Sequence, residues 1–215
     1  MKERPILFND EMVRALLDGR KTQTRRLVKN QPAGDTQGND CRAAKVAGGF
    51  QWQHRGGASK VFTCPYGKSG DQLWVRETWG ALFTDPPGTP GGRKPQPGDD
   101  IRYRADPGQD WQWRDGSLPW RPSIHMPRWA CRILLEVTAV RVERLQDITE
   151  DDARAEGCDN SSTEAAHECG WYEKPRRAFR RVWEQINGSD SWDANPWVWV
   201  IEFRRIDQQQ EADAA

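Results

Sequence analysis

Strand signals in this chain are few and unevenly spaced, which excludes the regular strand–helix alternation of a doubly wound fold. The patterning reads helix, strands, helix, helix, strand. That order predicts an α+β fold, with helices flanking a small mixed sheet or barrel and long inserted loops. The first helix is capped by Asn9 or Asp10, carries Met12, Val13, Leu16 and Leu17 on one face, and stops at Gly19. A second runs from Thr149 as N-cap, through Glu150, Asp151 and Asp152 in its first turn, to Gly157. Pro175 opens a third, with Ala178, Phe179, Val182, Trp183 and Ile186 three to four apart and Gly188 at its end. Strands are expected at Gly70–Arg76, Ile101–Arg104, Arg132–Val142 and Trp197–Phe203.

The segments between these elements are irregular. Residues 29–60 are rich in Gly, Gln, Asn and Ala and read as a long loop or a small excursion from the fold. Residues 84–100 are dense in Pro and Gly, and 158–173 read as a polar linker. Trp111 to Trp129 mixes Trp, Pro and Arg, and reads as an ordered loop with its own small core. At 215 residues the expectation is one domain over 1–207, with insertions near 29–69, 80–130 and 158–173, and a loose tail at 208–215. No internal repeat is visible.

Charge and composition narrow the function. Lys and Arg together equal Asp and Glu, so net charge is zero, but the halves differ. Residues 1–60 carry 12 basic and 6 acidic side chains, and residues 146–215 carry 8 and 16. A globally basic nucleic-acid coat is excluded, whereas a local basic patch near residue 20 is not. Mean hydropathy is −0.93, yet 12 Trp, 6 Phe and 3 Tyr supply a core. No apolar run reaches the roughly 20 residues of a membrane span, and the first residues lack a signal-peptide stretch. Five cysteines at scattered spacing do not form a disulfide framework, which fits a reducing cytoplasm.

Three positions stand out chemically. The segment Gly19-Arg20-Lys21-Thr22-Gln23-Thr24-Arg25-Arg26 concentrates cations after a helix end. On charge alone it is a solvated turn or an anion site. Lys21 and Thr24 share a face on a turn or helix but point to opposite faces in a regular strand. If they meet, Lys21 can take the proton of the Thr24 hydroxyl. Glu156 sits in the last turn of its helix, where the macrodipole disfavours an anion by roughly 0.3–1 kcal/mol. It is either exposed or turned inward as an acid–base group. His125 reads as a packing residue. The sets Cys158, His167, Cys169 and Cys41, His54, Cys64 lack the paired spacing of a structural zinc site. No phosphate-binding loop, dinucleotide fingerprint, G-x-S-x-G or H-E-x-x-H occurs, so no cofactor or metal is expected.

The same residues carry a resemblance. Gly19-Arg20-Lys21-Thr22-x-Thr24-x-Arg26 after a helix resembles the signature of the ASCH domain, in the PUA-like superfamily. Further blocks resemble it in order: Gly70-Asp71-x-Leu73-Trp74-Val75, Leu135-Glu136-Val137-Thr138, Asp147-Ile148-Thr149-Glu150 with Glu156-Gly157, and Trp197 to Phe203. The whole is similar to phage and prophage members. The resemblance implies a small PUA-like mixed β-barrel. Through a small bacterial N(4)-acetylcytidine amidohydrolase of the family, it also implies hydrolysis of the acyl amide on cytosine nucleosides. Lys21, Thr24 and Glu156 match that enzyme's catalytic residues. Arg20, Arg26, Trp74 and Trp79 are the expected substrate-binding residues. The partner is then a small nucleoside, with no membrane involved. Other members are linked to RNA, so the alternative is an RNA-binding or RNA-cleaving module using Arg20, Arg25 and Arg26 on phosphates. This chain is about twice as long as the small enzyme.

Overall fold

The computed structural model describes residues 1–32, 41–81, 92–108, 120–159, 161, 164–170 and 172–206. The chain starts with a strand that the patterning did not reveal, β1 (Glu3–Leu7), and turns into α1 (Asp10–Leu17). Asn9 is the cap, its Oδ1 accepting from the Met12 amide at 2.9 Å. Next come β2 (Gln23–Leu27) and then β3 (Cys41–Val46), β4 (Gly49–His54) and β5 (Gly57–Ala58). β6 (Gln72–Arg76) precedes the short pair β7 (Trp79–Ala81) and β8 (Ile101–Tyr103). The long strand β9 (Leu134–Arg144) leads to α2 (Glu150–Ala155), α3 (Glu164–Cys169) and α4 (Pro175–Asn187), and β10 (Trp197–Ile206) follows.

The fold is α+β. Its main sheet has the order β1-β6-β9-β10-β2, with β1 and β6 parallel and the other neighbours antiparallel. Pairing ends at β1 and β2, so among the described residues the sheet does not close into the barrel expected from the sequence. The two outer strands are consecutive in the chain and joined by α1. They are tied by a side chain instead of a backbone ladder: Arg26 Nη2 donates to the Leu7 carbonyl at 2.5 Å.

β10 is buried on both faces, which explains its nearly unbroken apolar run. Trp197, Trp199, Ile201 and Phe203 join Ile6, Leu73, Val75 and Leu135 in one core. Val198 and Val200 point the other way, into a second core with Leu145, Ala153, Phe179 and Trp183. Full burial of a valine side chain is worth about 1.5–3 kcal/mol, so each face is held independently. A one-residue slip of β10 would exchange the two sets of side chains.

Within 29–60, read as a long loop or a small excursion, β3, β4 and β5 form a separate three-stranded sheet, which is the excursion and not the loop. Phe50 and Trp52 of β4 pack on Trp199 and Trp197, with ring centroids 5.2 Å apart in both pairs. Gly49 makes this possible: a Cβ there would lie 2.4 Å from the Phe62 carbonyl oxygen. The supposed linker at 158–173 contains α3. A third core under β7 and β8 gathers Trp79, Met126, Ala130 and Leu134. Residues 120–129 thus contribute to a small core, while 111–119 lie outside the described residues. His125 is exposed rather than packed. Arg132 fastens this region, donating to both Glu77 carboxylate oxygens at 3.0 and 2.9 Å and lying 3.9 Å from the Tyr103 ring centroid. Burial pushes the Glu77 carboxyl up even against that guanidinium. Among the described residues no helix is long and apolar enough to cross a membrane.

Candidate functional site

The segment after α1 is extended, and three backbone bonds set its position. The Lys21 amide donates to the Ala15 carbonyl at 2.9 Å. The Thr22 amide donates to the Ala155 carbonyl at 2.8 Å, and the Thr22 carbonyl accepts from the Phe203 amide at 2.9 Å. Lys21 and Glu156 consequently face each other across an isolated antiparallel bridge. Gly157 permits the approach. It has φ +86°, and a Cβ would lie 2.7 Å from Ala15 Cβ and 3.3 Å from Lys21 Cβ.

Strand alternation then sorts the side chains. Lys21, Gln23 and Arg25 reach α2 and its end. Lys21 Nζ donates to Glu156 Oε2 and to the Glu156 carbonyl, both at 2.9 Å. Gln23 Nε2 donates to the Asp152 carbonyl at 2.9 Å and to its Oδ1 at 3.1 Å. Arg25 Nη1 donates to Glu156 Oε1 at 3.3 Å, while Nη2 lies 3.3 Å from Glu143 and 3.2 Å from Asp152. The Lys21 and Arg25 side chains are 0% exposed and that of Glu156 is 4% exposed. Arg141 extends the network through ion pairs to Glu143, Asp152 and Glu202. Burial alone would raise the Asp152 carboxyl. The Thr149 amide, the Arg25 charge, the Thr149 hydroxyl and Gln23 outweigh it and hold the group below the usual carboxylate range.

Glu156 is thus turned inward, at the C-cap of α2. The unfavourable end of the helix is offset by Lys21, which takes both the carboxylate and the carbonyl. Two buried cations on one carboxylate leave little freedom of geometry, which suits a group that must meet a substrate atom.

Thr24 and Arg26 alternate to the other face of β2. In register they lie beside Ile201 and Trp199, which belong to the aromatic core. Thr24 is buried, and among the described residues its hydroxyl makes no hydrogen bond to Lys21 or Glu156. The Arg26 guanidinium lies 5.6 Å from the Phe8 ring centroid and Lys21 Nζ lies 5.4 Å from it, so one ring stands near both cations. Burial lowers the Arg26 pKa, and the nearby Tyr66 and Glu156 oppose that shift.

The structure therefore brings Lys21 and Glu156 together and sets Thr24 in the adjoining strand. Arg20 stays at the edge, donating to Asp18 at 2.9 Å and to the Gly157 carbonyl at 3.2 Å. Trp74 and Trp79 pack in and against the third core, with Met126 and Leu134, and not around Glu156. Phe8 and Phe179 are the rings beside the cations, Phe179 lying 6.0 Å from the Arg25 guanidinium. Sequence reasoning left Gln23, Asp152 and Glu143 out of the site and gave Arg25 a place only in the RNA-binding alternative. The signal was available in the alternation of Lys21, Gln23 and Arg25, once this segment is taken as a strand.

A cleft of about 280 Å³ lies between α1 and α4 and reaches Glu156, Gly157 and Cys158. Burial, with the Glu156 charge added, pushes the Cys158 thiol up to about 11, so it is no nucleophile at neutral pH. Among the described residues no group of three His, Cys, Asp or Glu side chains is placed to hold a metal ion. A carboxylate and an ammonium are the reactive groups here, a pair compatible with acyl transfer to water. Comparisons of the chain with protein-family models, with characterised proteins and with solved structures find no match.

Proposed function

We propose that this chain is a metal-independent amidohydrolase of the ASCH type, with the open five-stranded sheet as its PUA-like element. Its substrate is an N(4)-acylated cytosine nucleoside. The observation that carries the reading is the buried contact of Lys21 with Glu156 at 2.9 Å, made by two residues 135 positions apart. A solvated charged turn has no reason to bury an ammonium and a carboxylate together, since each loses its water at a cost of several kcal/mol.

Chemistry follows from the two groups. Glu156 accepts a proton from water as the water oxygen bonds to the acyl carbon. The carbonyl oxygen becomes an oxyanion, and the Lys21 ammonium is the donor assigned to it. Glu156 then returns the proton to the N(4) amine as the carbon–nitrogen bond breaks. Cytidine and acetic acid leave, and the acid ionises in water. The contact between Lys21 and Glu156 favours this route over attack by Thr24, for which Lys21 would have to be its hydrogen-bonded base. A phosphate-binding role for Arg20, Arg25 and Arg26 is the weaker reading, because Arg25 is buried among three carboxylates.

The test is incubation with N(4)-acetylcytidine, following loss of its absorbance and release of cytidine by chromatography. Turnover is expected in wild-type protein and loss of about a hundredfold or more in kcat for Glu156→Gln, the range for acid–base groups. Absence of turnover together with RNA affinity that falls steeply with salt would select the nucleic-acid reading.

A further inference from the structure

The cleft that reaches Glu156 is divided in character. Met12, Phe179 and Val182 give it an apolar wall, while Arg14, Arg20 and Arg181 also line it, with Glu11 as an acidic neighbour. Arg14 spends its Nε on the Ala105 carbonyl at 3.0 Å, and Arg181 spends its Nε on Glu173 at 3.2 Å. Among the described residues their Nη groups make no hydrogen bond. Those outer edges are the part of a guanidinium that grips a phosphate in a two-pronged way. An uncharged nucleoside offers them only neutral acceptors, with no anionic group that matches the two-pronged grip.

Size limits the occupant. About 280 Å³ lies just below the roughly 300–1,000 Å³ usual for ligand pockets, enough for one nucleotide and not for a stacked strand. We infer that the cleft takes a free pyrimidine mononucleotide. Its base lies along Met12, Phe179 and Val182, its N(4) end is toward Glu156, and its phosphate is at Arg14 and Arg181 with Arg20 beside them. The inference rests on the amidohydrolase reading for what happens at Glu156; capture of the nucleotide does not depend on it. The phosphorylated substrate is then N(4)-acylated cytidine 5′-monophosphate.

Calorimetric titration with cytidine 5′-monophosphate and with cytidine tests this without turnover. The monophosphate is expected to bind roughly tenfold or more tighter, as befits one or two charge-assisted hydrogen bonds. Arg181→Ala and Arg14→Gln should each remove most of that difference. Arg181 is half-exposed, so its replacement leaves the fold intact even if the Arg14 variant proves unstable. Arg177→Ala, on the same helix but outside the cleft, should leave it unchanged. Equal affinity for the two probes overturns the inference, as does a preference for the monophosphate that survives Arg181→Ala. Tighter binding of a cytidine oligonucleotide than of the monophosphate also overturns it. Binding as expected with no hydrolysis of the N(4)-acetylated monophosphate would sink the amidohydrolase reading and leave the nucleotide site standing.

Discussion

Replacing Lys21 by Met keeps most of the stem and removes an ammonium held 2.9 Å from a carboxylate that is itself 4% exposed. Removing one partner of a buried pair usually costs about 3–5 kcal/mol, because the other charge stays buried. Glu156 keeps Arg25 at 3.3 Å, so the low end applies, about 3 kcal/mol. In a chain of 215 residues, at about 2–4 °C per kcal/mol, the midpoint should fall by roughly 6–12 °C. Glu156→Gln should cost more than Lys21→Met. It leaves the buried Lys21 ammonium with neutral acceptors only, while Arg25 retains Asp152 and Glu143. The double variant Lys21→Met with Glu156→Leu removes both charges and should be more stable than the Glu156→Gln variant. A coupling energy of about 2 kcal/mol or more is expected from the cycle Lys21→Met, Glu156→Leu and both together. Urea unfolding of these variants measures it. Additive losses, or a Lys21→Met variant within about 0.5 kcal/mol of wild type, the range of ordinary surface changes, would refute the buried-pair reasoning.

Gly157→Ala should destabilise more than Gly19→Ala in thermal melts. Both have positive φ and pay about 1–2 kcal/mol for it, but only at 157 does the new Cβ meet atoms, at 2.7 Å from Ala15. The depressed Asp152 carboxyl stabilises the fold above the ordinary Asp value near 3.9, and that contribution is lost as pH falls through its lower folded value. Asp152→Asn should therefore flatten the acid limb of stability against pH, read as urea midpoints. A thiol reagent at neutral pH should label exposed Cys169 well before Cys158, whose thiol burial has raised to about 11; mass spectrometry of the digest gives the order. Excess EDTA should leave hydrolysis of N(4)-acetylcytidine unchanged, and activity lost and then restored by zinc would remove the Lys21–Glu156 mechanism.

Much of the scaffold was legible in local signals. Asn9, Thr149 and Pro175 mark helix starts by capping chemistry that acts within three or four residues, and the structure uses all three. β6, β9 and β10 showed in their apolar content. What escaped lacked a local cause. β1 is five residues with a proline at its centre and exists by pairing with β6, 69 residues on. β4 sits in a Gly- and Gln-rich stretch, and its alternation of Phe50 and Trp52 with Gln51 and Gln53 was short enough to pass for noise. The site was legible in part. Lys21 and Glu156 came from motif and odd placement, whereas Arg25 figured only as a phosphate contact in the RNA-binding alternative. Its burial depends on Glu143, Asp152 and Glu156, which are distant in sequence. The side on which Thr24 lies required knowing that residues 23–27 form a strand.

The order in which the ribosome delivers these residues has a consequence for the chain in the making. At about 5–20 residues per second, Glu156 is joined to the growing chain roughly 7–27 s after Lys21, and β10 later still. Through that interval Lys21 and Arg25 are nascent cations without their carboxylates. Among the described residues β2 has no hydrogen-bonding neighbour in the main sheet except β10. Desolvating Arg25 before β9 and α2 arrive has nothing to offset it, so β2 stays hydrated and undocked instead of seizing an earlier strand. The charges that lock the finished molecule thus delay its first strand pairing until the last strand can receive it.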